Sequence, residues 1–193
     1  MQVPTMIKTL FIVFFSGLIL GCSSKEKASN GNYSEISDFF PEDTLFRISK
    51  DHDESPNVGY INQKGDTIIP YGKFAVGFSD TILTYGIVLE QSDGHQELIG
   101  INQRGERLYE VVWFDNGPDY IEDGMFRISR HGKIGYANTR GEIVIKPQFA
   151  CAQPFEKGKA QVTYQCDQIR DGDHSLMQSD HWFYIDKNGR KIP

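Results

Sequence analysis

The chain lacks most of the features on which an enzyme assignment rests. It has no Gly-x-Ser-x-Gly, no phosphate-binding loop and no dinucleotide glycine fingerprint. It has no basic run: 20 Lys and Arg stand against 26 Asp and Glu, for a formal charge of −6. Nucleic acid is therefore excluded as a natural partner, because such binders present a basic face. Long apolar runs are also missing. The longest, Leu10 to Leu20, has eleven residues, well short of the roughly 20 a membrane helix needs. Cysteine is scarce, with 3 in 193 residues. From residue 35 onward no sustained helical period is visible, which excludes a helical bundle. What is present argues for a folded chain: 39% hydrophobic residues, 13 Phe and 9 Tyr are too many for intrinsic disorder.

The eleven-residue apolar run follows Lys8 and ends Ile19-Leu20-Gly21-Cys22. Length and charge fit a secretory signal peptide. The ending resembles the lipobox of bacterial lipoproteins, with a small residue before the cut and Cys after it. The resemblance implies that residues 1–21 are removed and that Cys22 is lipidated on its thiol and then acylated, with palmitate-like chains, on its new amine. Three chains would hold the protein at a membrane almost irreversibly. Ser23, rather than Asp, after the Cys implies sorting to the outer membrane. Residues 22–34, polar and rich in Ser with Asn, Lys and one Gly, are expected to form a flexible tether.

The remainder repeats. Tyr60-Ile61-Asn62-Gln63-Lys64-Gly65 recurs as Gly100-Ile101-Asn102-Gln103-Arg104-Gly105, Tyr136-Ala137-Asn138-Thr139-Arg140-Gly141 and Tyr184-Ile185-Asp186-Lys187-Asn188-Gly189. The turn glycines are spaced by 40, 36 and 48 residues, and Phe46-Arg47-Ile48-Ser49 returns intact as Phe126-Arg127-Ile128-Ser129. Asn or Asp opens a type I turn through its side chain, and Gly three residues later closes it in the left-handed region. The β-branched flanks are strands, and Pro70, Pro147 and Pro193 are expected to stop them. Tyr60, Tyr136 and Tyr184 are expected to stack in a shared core. The expected fold is all-β: three to four stacked β-hairpin repeats, with units at 45–78, 82–114, 124–155 and 158–193, in a domain 35–193 that follows a signal-peptide helix and the tether. Closure into an open sheet, a solenoid or a propeller-like ring is not decided by the period.

These residues resemble the WG-repeat family, whose unit looks like Trp-Gly-Tyr-Ile-Asp-x-x-Gly-x-Ile-Val-Ile-x-Pro, then Phe-x-x-Gly-x-Ala-x-Val. The third unit matches best, from Gly135-Tyr136 through Pro147 and Phe149 to Phe155, Gly158, Ala160 and Val162. No unit keeps the Trp-Gly pair whole, and the second also lacks the Pro. The resemblance implies a β-repeat architecture and little chemistry.

Function is sought in the segments that exceed the plain unit: 50–57, 90–97 and 167–181. The last carries Asp167, Asp171, Asp173, His174, Asp180 and His181. These are suitable metal ligands, but their spacing fits neither a calcium loop nor a helical zinc motif. A solvated loop is the expected state, with no cofactor and no metal. Cys151 and Cys166 flank a turn, and a two-residue loop at Gly158-Lys159 would set them directly opposite. A disulfide is then open to them in an oxidising compartment; Pro154 interrupts that strand, and two half-buried thiols are the alternative. The expected function is a lipid-anchored envelope protein that binds or scaffolds a partner protein or glycan, with membrane contact through the lipid and no catalytic residue. An envelope enzyme or metal-dependent factor using 167–181 is the alternative.

Overall fold

The computed structural model describes residues 43–49, 57–171 and 174–193. The signal-peptide, Cys22 and tether expectations, and nearly all of the 50–57 segment, lie outside the described residues. Every described element is a β-strand. The first unit has β1 (Leu45–Ile48), β2 (Val58–Ile61) and β3 (Thr67–Phe74), then the short β4 (Val76–Gly77) and β5 (Thr81–Ile82). The second has β6 (Gly86–Ser92), β7 (His95–Ile101) and β8 (Arg107–Val111), followed by β9 (Trp113–Phe114) and β10 (Gly117–Pro118). The third has β11 (Met125–Arg130), β12 (Lys133–Asn138), β13 (Ile143–Phe149) and β14 (Cys151–Ala152). The fourth has β15 (Lys159–Thr163), the inserted β16 (Asp167–Asp171) and β17 (His174–Gln178), then β18 (Phe183–Asp186) and β19 (Lys191–Ile192).

The repeated cassette forms one turn four times. In the first, Gly65 N donates to Asn62 O at 3.0 Å and Asn62 N to Asp66 O at 3.0 Å. The Asn62 Oδ1 accepts from the backbone of Lys64 and Asp66, both at 2.9 Å. Asn102, Asn138 and Asp186 repeat this pattern. The side chain replaces the carbonyl that a continuing strand would supply, and Gly65, Gly105, Gly141 and Gly189 all have positive φ. A second turn chemistry joins strands within units two and three and between units three and four. Asp93-Gly94, His131-Gly132 and Lys157-Gly158 have positive φ at both residues, as a two-residue type I′ hairpin requires. The 90–97 segment is therefore the tip of the β6–β7 hairpin rather than a loop.

Pro70 and Pro147 do not stop their strands; they lie inside β3 and β13. Both strands are sheet edges, in the orders β3-β2-β1-β5 and β13-β12-β11-β8-β7-β6-β4, where a missing N–H leaves no ladder bond unmade. Both strands also shift register against their neighbours, beside Gly59 and Gly135. A side chain at Gly59 or Gly135 would collide with the backbone of the strand opposite, which accounts for the glycine of the x-Gly-Tyr pattern. The second unit has Glu110 and Val111 where the others place Pro. Those two residues pair with Ser129 and Ile128, so the second and third units share one seven-stranded sheet.

Burial follows the stacking of units. One apolar cluster joins Tyr60, Ile69 and Phe74 of the first unit to Val88, Ile99 and Ile101 of the second. Another joins Leu89 and Tyr109 to Phe126 and Ile128. The last joins Tyr136, Ile145 and Phe149 to Ala160, Val162 and Ile185 of the fourth unit. No unit could bury its apolar face alone, and each does so against its neighbour.

Candidate functional site

Units one and three carry the same cross-strand pair, Arg47 opposite Tyr60 and Arg127 opposite Tyr136. Each pair grips the segment that follows its own meander. Arg47 Nη1 donates to Gly77 O at 2.8 Å, and the Tyr60 hydroxyl donates to Ser79 O at 2.9 Å. Arg127 Nη1 donates to Ala152 O at 3.2 Å, and the Tyr136 hydroxyl to Gln153 O at 2.6 Å. Asp119 neutralises Arg127 in the interior, accepting from its backbone N at 2.7 Å, its Nε at 3.0 Å and its Nη2 at 2.5 Å. The equivalent Arg47–Asp80 pair, at 2.6 Å, is open to solvent. Burial pushes the Tyr60 phenol up to about 12 and raises Tyr136 further. The donors of both pairs are engaged in holding backbone carbonyls of this chain.

In the fourth unit Gln161 stands opposite Tyr184 in the same register. Tyr184 does not join a stacked core as its equivalents do. It is half-buried, and the Lys159 ammonium lies 4.4 Å from its ring centre. Tyr60 and Tyr136 are buried because the segment that follows covers them; Tyr184 is covered only in part, with Lys159 over its ring. It lines a recess of about 290 Å³ with Gln153, Pro154, Glu156, Lys157, Lys159 and Gln161.

The next residue along β18 points the other way. Phe183 meets Tyr164 at 5.4 Å and Phe149 at 6.2 Å between ring centres. Tyr164 is 57% exposed, and the Lys191 ammonium lies 4.9 Å from the Phe183 ring centre. Together with Gln165, His181 and Gly189 they line a recess of about 550 Å³. Gln165 and His181 also line an adjoining recess of about 340 Å³ that includes Asp167 and Asp180. Two aromatic faces with amide, imidazole and ammonium groups at the rim suit recognition by stacking and hydrogen bonding.

The acidic segment is solvent-exposed, as expected, but it is a hairpin rather than a loop. It pairs as the β16–β17 hairpin, with Asp167 opposite Gln178 and Asp171 opposite His174. Strand pairing separates Asp167 from Asp171 by the length of the ribbon, while Asp180 and His181 follow it; Asp173 lies outside the described residues. Among the described residues no group of three His, Cys, Asp or Glu could hold a metal ion.

Cys151 and Cys166 are joined by a disulfide, with Cα atoms 5.8 Å apart. The turn is Lys157-Gly158 rather than Gly158-Lys159, with Glu156 bridged to Lys159. That turn alone would set Cys151 opposite Tyr164; a further one-residue offset, in the stretch that holds Pro154, pairs it with Thr163 rather than Cys166. The bridge reaches diagonally past the end of β15 and anchors the base of the inserted hairpin to the third unit.

The Tyr164–Phe183 pair was not visible as a site in the sequence. Its two residues lie on either side of the insertion, and only alternation along β18 could have placed Phe183 and Tyr184 on opposite faces. Residues 134–164 match a protein-family model described as a WG containing repeat. That stretch includes Tyr136 and the segment it grips. Neither the curated proteins nor the solved structures yield a match.

Proposed function

We propose that this WG-repeat protein is a lipid-anchored component of the bacterial cell envelope whose β-repeats bind or scaffold a partner protein or glycan. The observation that carries the reading is the recess between Tyr164 and Phe183. It is aromatic, open and rimmed by His181, Gln165 and Lys191, whereas the buried Tyr60, Arg127 and Tyr136 are engaged with carbonyls of the chain's own following segments. The Ile19-Leu20-Gly21-Cys22 sequence supports attachment to the outer membrane through Cys22. The disulfide supports an oxidising compartment.

The test is crosslinking and pull-down from intact cells with the lipidated protein at its native level. One partner should be recovered in stoichiometric yield and lost on Tyr164→Ala. Cys22→Ser should release the protein from the membrane fraction. Recovery of abundant envelope proteins alone, unchanged by Tyr164→Ala, would overturn the binding reading.

A further inference from the structure

The molecule contains two occupied versions of a site that its fourth unit presents open. In units one and three a donor pair on adjacent strands, Arg47 with Tyr60 and Arg127 with Tyr136, holds two carbonyls of an extended segment. A few residues on, that segment buries a large apolar side chain in the same cluster as the tyrosine: Ile82 beside Tyr60, and Phe155 beside Tyr136. Phe155 meets the Tyr136 ring edge-on, 4.7 Å between centres. The occupant of the first site also carries Asp80, which pairs with Arg47 at 2.6 Å.

In unit four, Gln161 and Tyr184 occupy the same register. Both side chains carry hydrogen-bond donors of the kind that hold carbonyls in the other units. The Tyr184 hydroxyl has no hydrogen-bond partner among the described residues, and the charged groups lining the recess beside it are Glu156, Lys157 and Lys159. Lys157 is paired with Glu156 at 3.1 Å, whereas Lys159 rests on the Tyr184 ring. The face therefore combines two donors, an aromatic wall and a cation.

We infer that the Gln161–Tyr184 face is a docking site for an extended acidic peptide segment of a partner protein, held as units one and three hold segments of this chain. The occupant presents two backbone carbonyls to Gln161 and Tyr184. Its acidic side chain meets Lys159, and an apolar side chain follows against the Tyr184 ring. This site rests on the binding reading above but uses the opposite face of β18 from Tyr164 and Phe183, so the two are separable.

The probe is a fluorescent synthetic peptide copying residues 76–82, Val-Gly-Phe-Ser-Asp-Thr-Ile, added to the full-length protein and followed by anisotropy. Saturable binding is expected. Tyr184→Phe should weaken it roughly 2- to 12-fold, the range for one neutral hydrogen bond, and Gln161→Ala should act similarly. Both positions are partly exposed, so melting temperatures should be unchanged, and Tyr164→Ser should leave affinity intact. Absence of saturable binding would overturn the inference. So would binding that is indifferent to Tyr184→Phe and Gln161→Ala. Loss only on Tyr164→Ser would overturn it too, while leaving the binding reading standing.

Discussion

Gly100 lies directly opposite Tyr109 across β7 and β8, and the tyrosine ring fills the space where a side chain at position 100 would stand. Gly100 occupies the cassette position held by Tyr60, Tyr136 and Tyr184 in the other units. The second unit has moved its aromatic to the neighbouring strand. From there the Tyr109 hydroxyl donates to Gly141 O, 3.0 Å away, in the turn of the third unit. This tie runs from the second unit to the third, whereas Tyr60 and Tyr136 hold the segment that follows their own meander.

Gly100→Ala should therefore be destabilising although alanine favours neither a turn nor a charge. The added methyl overlaps a buried ring, and overpacking of this kind costs about 1–3 kcal/mol. Urea denaturation of the two proteins would show it as a lower midpoint with an unchanged slope.

Tyr136→Phe and Tyr184→Phe should separate cleanly. The first leaves the part-buried Gln153 carbonyl without its donor and should cost about 1–3 kcal/mol. The second removes a hydroxyl that holds nothing among the described residues and should leave stability within about 0.5 kcal/mol. Equal losses in thermal melts would contradict the difference in burial.

Arg127 and Asp119 form an interior pair, with side chains 4% and 2% exposed. Asp119→Ala strands a buried guanidinium and should cost about 3–5 kcal/mol. Asp80→Ala breaks the corresponding open pair with Arg47 and should cost at most about 1 kcal/mol. Chemical denaturation of the two variants tests whether burial, rather than the repeated sequence, sets the value of the pair.

Alkaline pH should loosen the stack. Burial raises the phenols of Tyr60, Tyr109 and Tyr136. A group whose folded pKa is raised stabilises the fold below its unfolded value and loses that contribution as pH climbs toward the folded one. For Tyr60 the window runs from about 10 to about 12. Stability measured against pH should be flat below that window and fall within it. Tyrosinate absorbance should show the exposed tyrosines ionising first, with the buried ones following as the protein unfolds.

Reduction of the Cys151–Cys166 bridge opens a loop with a sequence separation of 15, and the chain-entropy estimate for such a loop is about 3 kcal/mol. The urea midpoint should fall with reductant in the native protein and stay constant in the Cys151→Ser, Cys166→Ser double variant. The Tyr164 recess, next to the bridge, should lose definition with it. Intrinsic tyrosine fluorescence at that site would report the change.

Local chemistry was readable from one strand of text. The Asn-x-x-Gly turns, the β-branched flanks and the 36- to 48-residue spacing specify hairpins because each depends on residues within five positions of one another. The all-β repeat architecture follows from them, since an isolated hairpin cannot bury its own face. Partners across the chain were not readable. The Pro residues sit inside β3 and β13 because those strands are edges, and edge status is a property of the sheet. Glu110 and Val111 join two units only because β11 lies beside them. The register of Cys151 turned on Lys157-Gly158 forming the hairpin turn and on a further one-residue offset between the Glu156–Lys159 and Ala152–Val162 pairs, which spacing alone does not resolve. Tyr60, Tyr136 and Tyr184 are identical in the cassette and differ only in what covers them. Burial is decided by a segment 17 to 19 residues further on for the first two, and by tertiary stacking rather than by the tyrosine itself. That is why the open face of the fourth unit became visible only in three dimensions.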